Sequence, residues 1–245
     1  MEWLLDLFMN LHWSAVGQII MIDVLLGGDN AVVIALACRN LPHEQRLKGV
    51  FWGTFGAIAL RVVLITFAVL LLDLPFLKMV GGALLLWIGV KLLLPEADAD
   101  VSEKIKGASK LFDAIKTIIV ADFVMSLDNV IAIAGAADQA HDDHQTLLVI
   151  FGLLVSVPFI VGGSQVILRL IDRFPVIVWV GGGLLGWIAG GLFASDGWMV
   201  QQFPQLPGMV LPLEIAGAAF VVIVGLSIAH FSKKRLQAKK QEGQG

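Results

Sequence analysis

The sequence predicts an all-α protein: a polytopic membrane helix bundle with seven transmembrane helices, built as an inverted 3+3 repeat plus one extra C-terminal helix. The first observation is composition, because 58% of the 245 residues are hydrophobic, only 15% are charged and the mean hydropathy is +0.85. A soluble domain of this size cannot bury that much apolar surface. The second is a series of apolar stretches of about 20 residues, the length that crosses a bilayer. The third is a duplication of the chain along its length.

Seven stretches are long enough to span the hydrocarbon core of a bilayer. Five of them are almost continuously apolar: Gly49–Leu72, Pro75–Leu94, Thr146–Leu168, Val176–Ser195 and Val210–His230. The other two, Ser14–Ala37 and Leu111–Ala136, are each interrupted by two aspartates and an asparagine. We predict that all seven cross the membrane, because about 20 mostly apolar residues suffice for one crossing.

The positive charges predict how the chain is oriented. Of the 17 Lys and Arg residues, Arg61 lies inside a span and Lys78 in a loop on the side of the N-terminus, which leaves fifteen on the opposite side. Cytoplasmic loops carry the excess of Lys and Arg in membrane proteins. We therefore expect a multi-pass protein of the bacterial plasma (inner) membrane, with its N-terminus outside and its C-terminus in the cytoplasm.

The two halves of the chain are copies of one pattern. Residues 19–37 and 118–136 are identical at eight of 19 positions, and the identities include two aspartates and one asparagine. Further matches are Gly53 with Gly152, Pro75 with Pro175, Gly81 with Gly181, and Trp87 with Trp187. Each copy holds three spans, and an odd number forces the second copy to enter the membrane from the opposite side. Such inverted-topology repeats are typical of secondary transporters.

The duplication divides the chain into five predicted parts. They are a first three-helix repeat (1–94), a cytoplasmic acidic linker (95–110), a second, inverted three-helix repeat (111–195), an outer loop with the seventh helix (196–231) and a cytoplasmic basic tail (232–245).

Polar side chains inside the spans mark the candidate site. An isolated charged Asp at the centre of a span costs roughly 2.5–3.5 kcal/mol, so four of them imply a partner or a bound cation. Carboxylate and amide oxygens suit Mg²⁺, Ca²⁺ or Mn²⁺. The candidate metal ligands are Asp29, Asn30, Asp128 and Asn129, with Asp23 and Asp122 beside them. The alternative is that the aspartates pair with Arg61 and Lys116 or are protonated, but four aspartates exceed those two cations.

Three further features each allow two interpretations. Met125 precedes Asp128 by three residues, and a thioether ligand would favour Mn²⁺ over Ca²⁺ and Mg²⁺, although methionine in a span is also ordinary packing. Glu214 either lines an exit path or is a solvated interfacial residue. Gly27-Gly28 either breaks the first span before Asp29 or permits close helix packing.

Nothing in the sequence predicts an enzyme. No nucleophile elbow, phosphate-binding loop or zinc-protease motif is present, and an intramembrane aspartyl protease would show a Tyr-Asp motif, whereas this chain has no Tyr. We therefore expect no catalytic residue and no catalytic cofactor. The net charge of −3 gives no sign of a nucleic-acid partner.

The sequence resembles the TerC family of integral membrane proteins, within the lysine-exporter-like superfamily. The resemblance rests on Gly28-Asp29-Asn30-Ala31-Val32-Val33 and Ser126-Leu127-Asp128-Asn129-Val130, on the seven-span layout and on the acidic central loop. It implies export of Mn²⁺ from the cytoplasm, with the two Asp-Asn pairs as the metal site. Proton antiport through Asp23 and Asp122 is the expected coupling.

The resemblance also leaves other functions open. Some family members are linked to assembly or metal loading of other proteins, so a non-transporting membrane partner is the main alternative. Another is an exporter of a different divalent cation such as Ca²⁺. An amino-acid exporter would need a cation in the cavity, and Arg61 is the only one available. The expected partners are the divalent ion, the lipid bilayer and a second copy of the chain in a homo-oligomer.

Overall fold

The protein is helical throughout the part of the chain that can be described. The computed structural model describes residues 13–26, 28–67, 74–94, 103–138 and 145–242. Within these ranges the helices are α1 (Trp13–Leu26), α2 (Gly28–Cys38), α3 (His43–Thr66), α4 (Leu77–Leu93), α5 (Glu103–Asp138), α6 (Gln145–Arg173), α7 (Val176–Ser195), the short α8 (Gly197–Gln202) and α9 (Val210–Glu242). A single 3₁₀ turn, Leu206–Met209, leads into α9. The described ranges contain no β-strand, which agrees with the predicted helix bundle.

In the part of the chain that the structure describes, four helical segments are long and apolar enough to cross a membrane. They are His43–Ile65, Ile150–Arg173, Val176–Ser195 and Leu206–Phe231. The helix Gly28–Cys38 is apolar but shorter. The 17 residues of α4 rise about 25 Å, slightly less than the hydrocarbon core, and α5 carries the interrupting aspartates. Gly27 lies outside the described residues, so the predicted helix break there stays a prediction.

Several helix ends differ from the predicted spans. The helix α3 begins at His43, directly after Pro42, and ends at Thr66, whereas hydropathy places this span at Gly49–Leu72. Hydropathy marks only the apolar part of a helix, while the proline, which is favoured at helix starts, sets the actual beginning. Because hydropathy does not mark the polar ends of a helix, α5 starts at Glu103, within the predicted linker, and α9 continues to Glu242, within the predicted tail.

The described part of the molecule exposes large apolar side chains and buries ten polar or charged ones within an otherwise apolar core. Large hydrophobic side chains are exposed on several helices, including Trp52, Trp87, Val180, Phe220 and Ile223. The buried polar and charged side chains are Asp23, Asn30, Thr54, Arg61, Asp122, Ser126, Asn129, Ser156, Ser164 and Asp196. Lipid is the solvent that suits such a surface, and intramembrane polar groups face the interior of a bundle.

The two halves of the chain pack through reciprocal contacts. The helix α3 of the first half packs along α5 of the second, and α6 of the second half packs along α1 and α2 of the first. Gly53 of α3 lies against Ile118, and its counterpart Gly152 of α6 lies against Ile19, the counterpart of Ile118. The absence of a side chain at each glycine lets the isoleucine of the other half approach closely.

The helices α4 and α7, which correspond to the third predicted span of each half, also contact each other reciprocally. Gly82 near the start of α4 lies against Phe193 near the end of α7, and Gly182 near the start of α7 lies against Leu93 at the end of α4. These pairs show that the two helices run antiparallel. Gly82 and Gly182 occupy equivalent positions in the two copies, so the same contact is made twice.

The helix α9 docks on α7 through glycines. Gly186 and Gly217 approach so closely that a Cβ atom added to either would overlap the carbonyl oxygen of the other, and one added to Gly190 would overlap the backbone at Leu213. Small residues spaced four apart allow this close contact between helices in membranes.

We expect Gly186→Ala to destabilise the protein by about 1–3 kcal/mol, because its methyl group has no space against α9. Thermal unfolding of the purified protein in detergent measures the effect. Gly162→Ala is the matched control, because a Cβ there meets no atom within 4 Å and should leave the melting temperature unchanged or raise it. Equal melting temperatures for both variants would contradict the close α7–α9 contact.

Candidate functional site

A buried arginine joins the two halves of the chain at its polar centre. The Arg61 guanidinium of α3 donates through Nη1 to Asp23 of α1 and through Nη2 to Asp122 of α5, the latter at 2.6 Å. Its Nε donates to Ser126 Oγ at 3.0 Å. Arg61 is only 1% exposed and both aspartates are buried. One side chain thus contacts the equivalent aspartates of both repeats.

Two serines complete the bonding of these carboxylates. Ser126 Oγ donates to Asp122 Oδ2 at 3.0 Å, and Ser156 of α6 donates to Asp23 Oδ2. Each aspartate therefore has one oxygen on Arg61 and the other on a serine. Buried charges are tolerable only when they are paired and hydrogen-bonded in this way.

The structure confirms the alternative that Arg61 pairs with aspartates. Arg61 pairs with Asp23 and Asp122, whereas Lys116, the other proposed counter-charge, is exposed on α5. One guanidinium and two ionised carboxylates leave this group with one negative charge in excess. The half-buried Asp29 is a third carboxylate within electrostatic range of both Arg61 and Asp122. The carboxyl groups of this centre therefore outnumber its one guanidinium.

The neighbouring Asn30 has an unusual environment. Asn30 is 4% exposed, and neither its Oδ1 nor its Nδ2 has a hydrogen-bond partner among the described residues. It lines a cavity of about 10 Å³ together with Asp122 and Met125. A cavity of this size holds about one water-sized particle. An unpaired buried amide costs about 1–3 kcal/mol, so a water molecule or an ion in this cavity is the expected partner of the Asn30 side chain.

The other predicted ligands are placed as follows. Asp29 lies in the first turn of α2, where its Oδ1 accepts the backbone N–H of Asn30 at 2.9 Å. Asn129 is buried on α5. Asp128 is in the same helix, but its side chain lies outside the described residues. Within the described part of the chain, no three His, Cys, Asp or Glu side chains form a group that could hold a metal ion. The complete six-residue site therefore stays a prediction.

The sequence interpretation missed Ser126 and Ser156. Ser126 carries a usable signal, because it follows Asp122 by four residues and so lies on the same helix face. Ser156 has no such signal in the sequence, since a serine in an apolar span usually donates to a backbone carbonyl of its own helix. Ser156 Oγ also lies within hydrogen-bond distance of Leu153 O. Glu214 lies against Gly191 at the α7–α9 interface.

We expect Arg61→Gln to destabilise the protein by about 3–5 kcal/mol, because two buried carboxylates lose their counter-charge. Adding Asp23→Asn and Asp122→Asn to it should recover most of the loss, since the centre is then uncharged. Denaturant unfolding in micelles measures each variant. The surface control is Asp172→Asn, which breaks the exposed pair with Arg46 and should cost less than about 1 kcal/mol. An Arg61→Gln loss no larger than the control would contradict a charged centre.

Comparisons with known proteins agree with this architecture. Residues 8–237 match the integral membrane protein TerC family. The chain is 42% identical over 215 residues to the uncharacterized membrane protein YjbE of Bacillus subtilis, covering 88% of this chain and 95% of YjbE. It is 25% identical over 236 residues to the uncharacterized membrane protein YceF of the same organism, covering 94% and 86% of the two chains.

A more distant relative is the UPF0053 inner membrane protein YgdQ of Escherichia coli, with 25% identity over 150 residues, or 52% of this chain and 60% of YgdQ. No solved structure matches the chain significantly. The family match covers nearly the whole sequence, and the helices, the apolar surface and the buried polar centre are those of a membrane protein. The chain belongs to the TerC family of integral membrane proteins.

Proposed function

We propose that this protein exports divalent metal ions, principally Mn²⁺, from the bacterial cytoplasm across the plasma membrane. The observation that carries the proposal is the unpaired Asn30 amide, buried beside Asp122 in a cavity of about 10 Å³. Amide and carboxylate oxygens are ligands for Mn²⁺. The choice of manganese and the direction of transport come from the family resemblance.

The proposed architecture is a seven-span inverted repeat with the N-terminus outside. The reciprocal contacts of Gly53 and Gly152 and the antiparallel α4–α7 pair support it, because an inverted duplication makes each contact between its halves twice. The excess of Lys and Arg in the predicted cytoplasmic segments supports the orientation. In such folds the two halves move against each other around a site near the midplane.

Export of a divalent cation needs an energy source. Moving two charges against an inside-negative potential costs about 4.6 kcal/mol per 100 mV. We propose proton antiport as the coupling, because carboxylates that bind a metal ion in one step can carry protons in the return step. Asp29, Asn30, Asp128 and Asn129 are the principal proposed metal ligands, with Asp23 and Asp122 beside them. Asp23 and Asp122 are also the proposed proton carriers, and Asp122 borders the cavity with Asn30.

Flux into liposomes tests the proposal. The purified protein should carry Mn²⁺ faster than Ca²⁺, Mg²⁺ or Zn²⁺, and an opposing pH gradient should accelerate the flux. Asn30→Leu should reduce the Mn²⁺ flux by about ten-fold or more through loss of a ligand. It should leave thermal stability unchanged or higher, because it removes an unpaired polar group. If Asn30 had a purely structural role, Asn30→Leu would lower the thermal stability instead.

The matched control is Asn40→Leu, which replaces an exposed asparagine and should leave the flux unchanged. Absence of flux for every metal, from protein shown to be folded, would overturn the transporter proposal. It would favour a membrane partner for assembly or metal loading of other proteins.

In cells, Asp29→Ala and Asp128→Ala should each abolish manganese resistance without preventing membrane insertion, because each removes a proposed ligand carboxylate. Growth in excess Mn²⁺, with immunoblots of isolated membranes, measures both properties. Asp172→Ala removes an exposed carboxylate and should leave resistance intact. Normal resistance in both the Asp29 and Asp128 variants would refute the proposed ligands.

A further inference from the structure

The cavity beside Asn30 is lined by a methionine as well as by residues with amide and carboxylate side chains. Its lining residues are Asn30, Val33, Ile34, Ile118, Asp122 and Met125. Met125 is buried one turn after Asp122 on α5, and an (i, i+3) pair lies on one helix face. The residues that carry the thioether, the carboxylate and the amide therefore line the same small cavity.

These three groups are all rich in lone pairs. Neither polar atom of the Asn30 side chain has a partner, so the amide does not donate to the Met125 sulfur. Asp122 binds Arg61 and Ser126, yet each carboxylate oxygen keeps a second lone pair. A cation is the ligand that could bind an amide oxygen, a carboxylate and a thioether at once.

The duplication places the sulfur in one half of the molecule only. At the same offset of 99 residues, Asp23 corresponds to Asp122 and Asn129 to Asn30, but Leu26 corresponds to Met125. Leucine and methionine have similar volumes and substitute for each other in apolar surroundings. Packing alone therefore does not require a methionine here. The sulfur occurs where the cavity holds an unpaired amide.

We propose that the Met125 thioether is a ligand of the transported cation and selects transition-metal ions against Mg²⁺ and Ca²⁺. This inference rests on the proposed function and specifies the substrate class. Mg²⁺ and Ca²⁺ prefer oxygen ligands, whereas a thioether binds softer metal ions better. Exchanging one oxygen ligand for sulfur lowers the affinity for the hard ions most. The competing role, filling an irregular gap in the core, predicts no effect on selectivity.

The test compares Cd²⁺ with Ca²⁺, which have equal charge and nearly equal size but differ in softness. Both ions compete with Mn²⁺ for the purified full-length protein, and bound Mn²⁺ is measured by the loss of the free-ion electron paramagnetic resonance signal. Met125→Leu removes the sulfur and keeps the volume. Met21→Leu is the matched control, because Met21 is 55% exposed on α1. Met125→Cys retains a soft ligand.

In Met125→Leu, competition by Cd²⁺ relative to Ca²⁺ should fall about ten-fold, the loss expected for about 1.4 kcal/mol of ligand binding. Met21→Leu should match the unmodified protein, and Met125→Cys should keep the preference for Cd²⁺. Thermal unfolding verifies that each variant is folded. Where Met125→Leu fails this check, Met125→Ile replaces it, because it also removes the sulfur and a packing role again predicts an unchanged Cd²⁺ to Ca²⁺ ratio.

Two results would overturn the inference, and they differ from each other. If the unmodified protein binds Mn²⁺ but folded Met125→Leu keeps the Cd²⁺ to Ca²⁺ ratio within two-fold, Met125 only packs and the proposed function stands. If the unmodified protein binds no divalent ion, the proposed function fails and the inference fails with it.

Discussion

The structure depends on the pairing of Arg61 with two aspartates. Asp23 and Asp122 occupy equivalent positions in the duplicated halves, and each would cost roughly 2.5–3.5 kcal/mol as an isolated charge at the centre of a span. The guanidinium offsets both costs at once because it donates to both carboxylates. Since α1, α3 and α5 each supply one member, the pairing also fixes how the two halves align. The glycine contacts between the halves reinforce the same alignment.

The repeat is symmetric in its helices and asymmetric in its polar centre. At the same offset, Ile160 stands where the second half would carry a counterpart of Arg61, and Ala57 stands opposite Ser156. A single arginine between the halves contacts both aspartates, so the second half needs no counterpart of Arg61 to reach them. Asp122 also borders the cavity with Asn30. The centre thus has one face built for charge pairing and another that leaves lone pairs unsatisfied.

Much of this architecture could be predicted from the sequence, because membrane insertion constrains length and hydropathy strongly. The helical class followed from the apolar stretches and the family from the two Asp-Asn motifs, while the pairing of Arg61 with aspartate was the alternative to a metal site. The start of α3 at His43 did not, since Pro42 rather than hydropathy sets it. The choice of Asp23 and Asp122 as the partners of Arg61, over Asp29 and Asp128, depends on helix rotation and tertiary packing. No local sequence pattern encodes the rotation of a helix or its tertiary packing.

The arginine also bears on how a carrier of this design could operate. Any exporter must return without its cargo, and bare carboxylates inside the bilayer would make that step costly. Arg61 removes this cost at Asp23 and Asp122, because both oxygens of each carboxylate have hydrogen-bond donors within the protein. A cation arriving at Asn30 and Asp122 must then compete with a tethered guanidinium rather than with water. Under the proposed function, only an ion that binds the remaining ligands well could do so, and selectivity would then depend on Asn30 and Met125 more than on the number of negative charges.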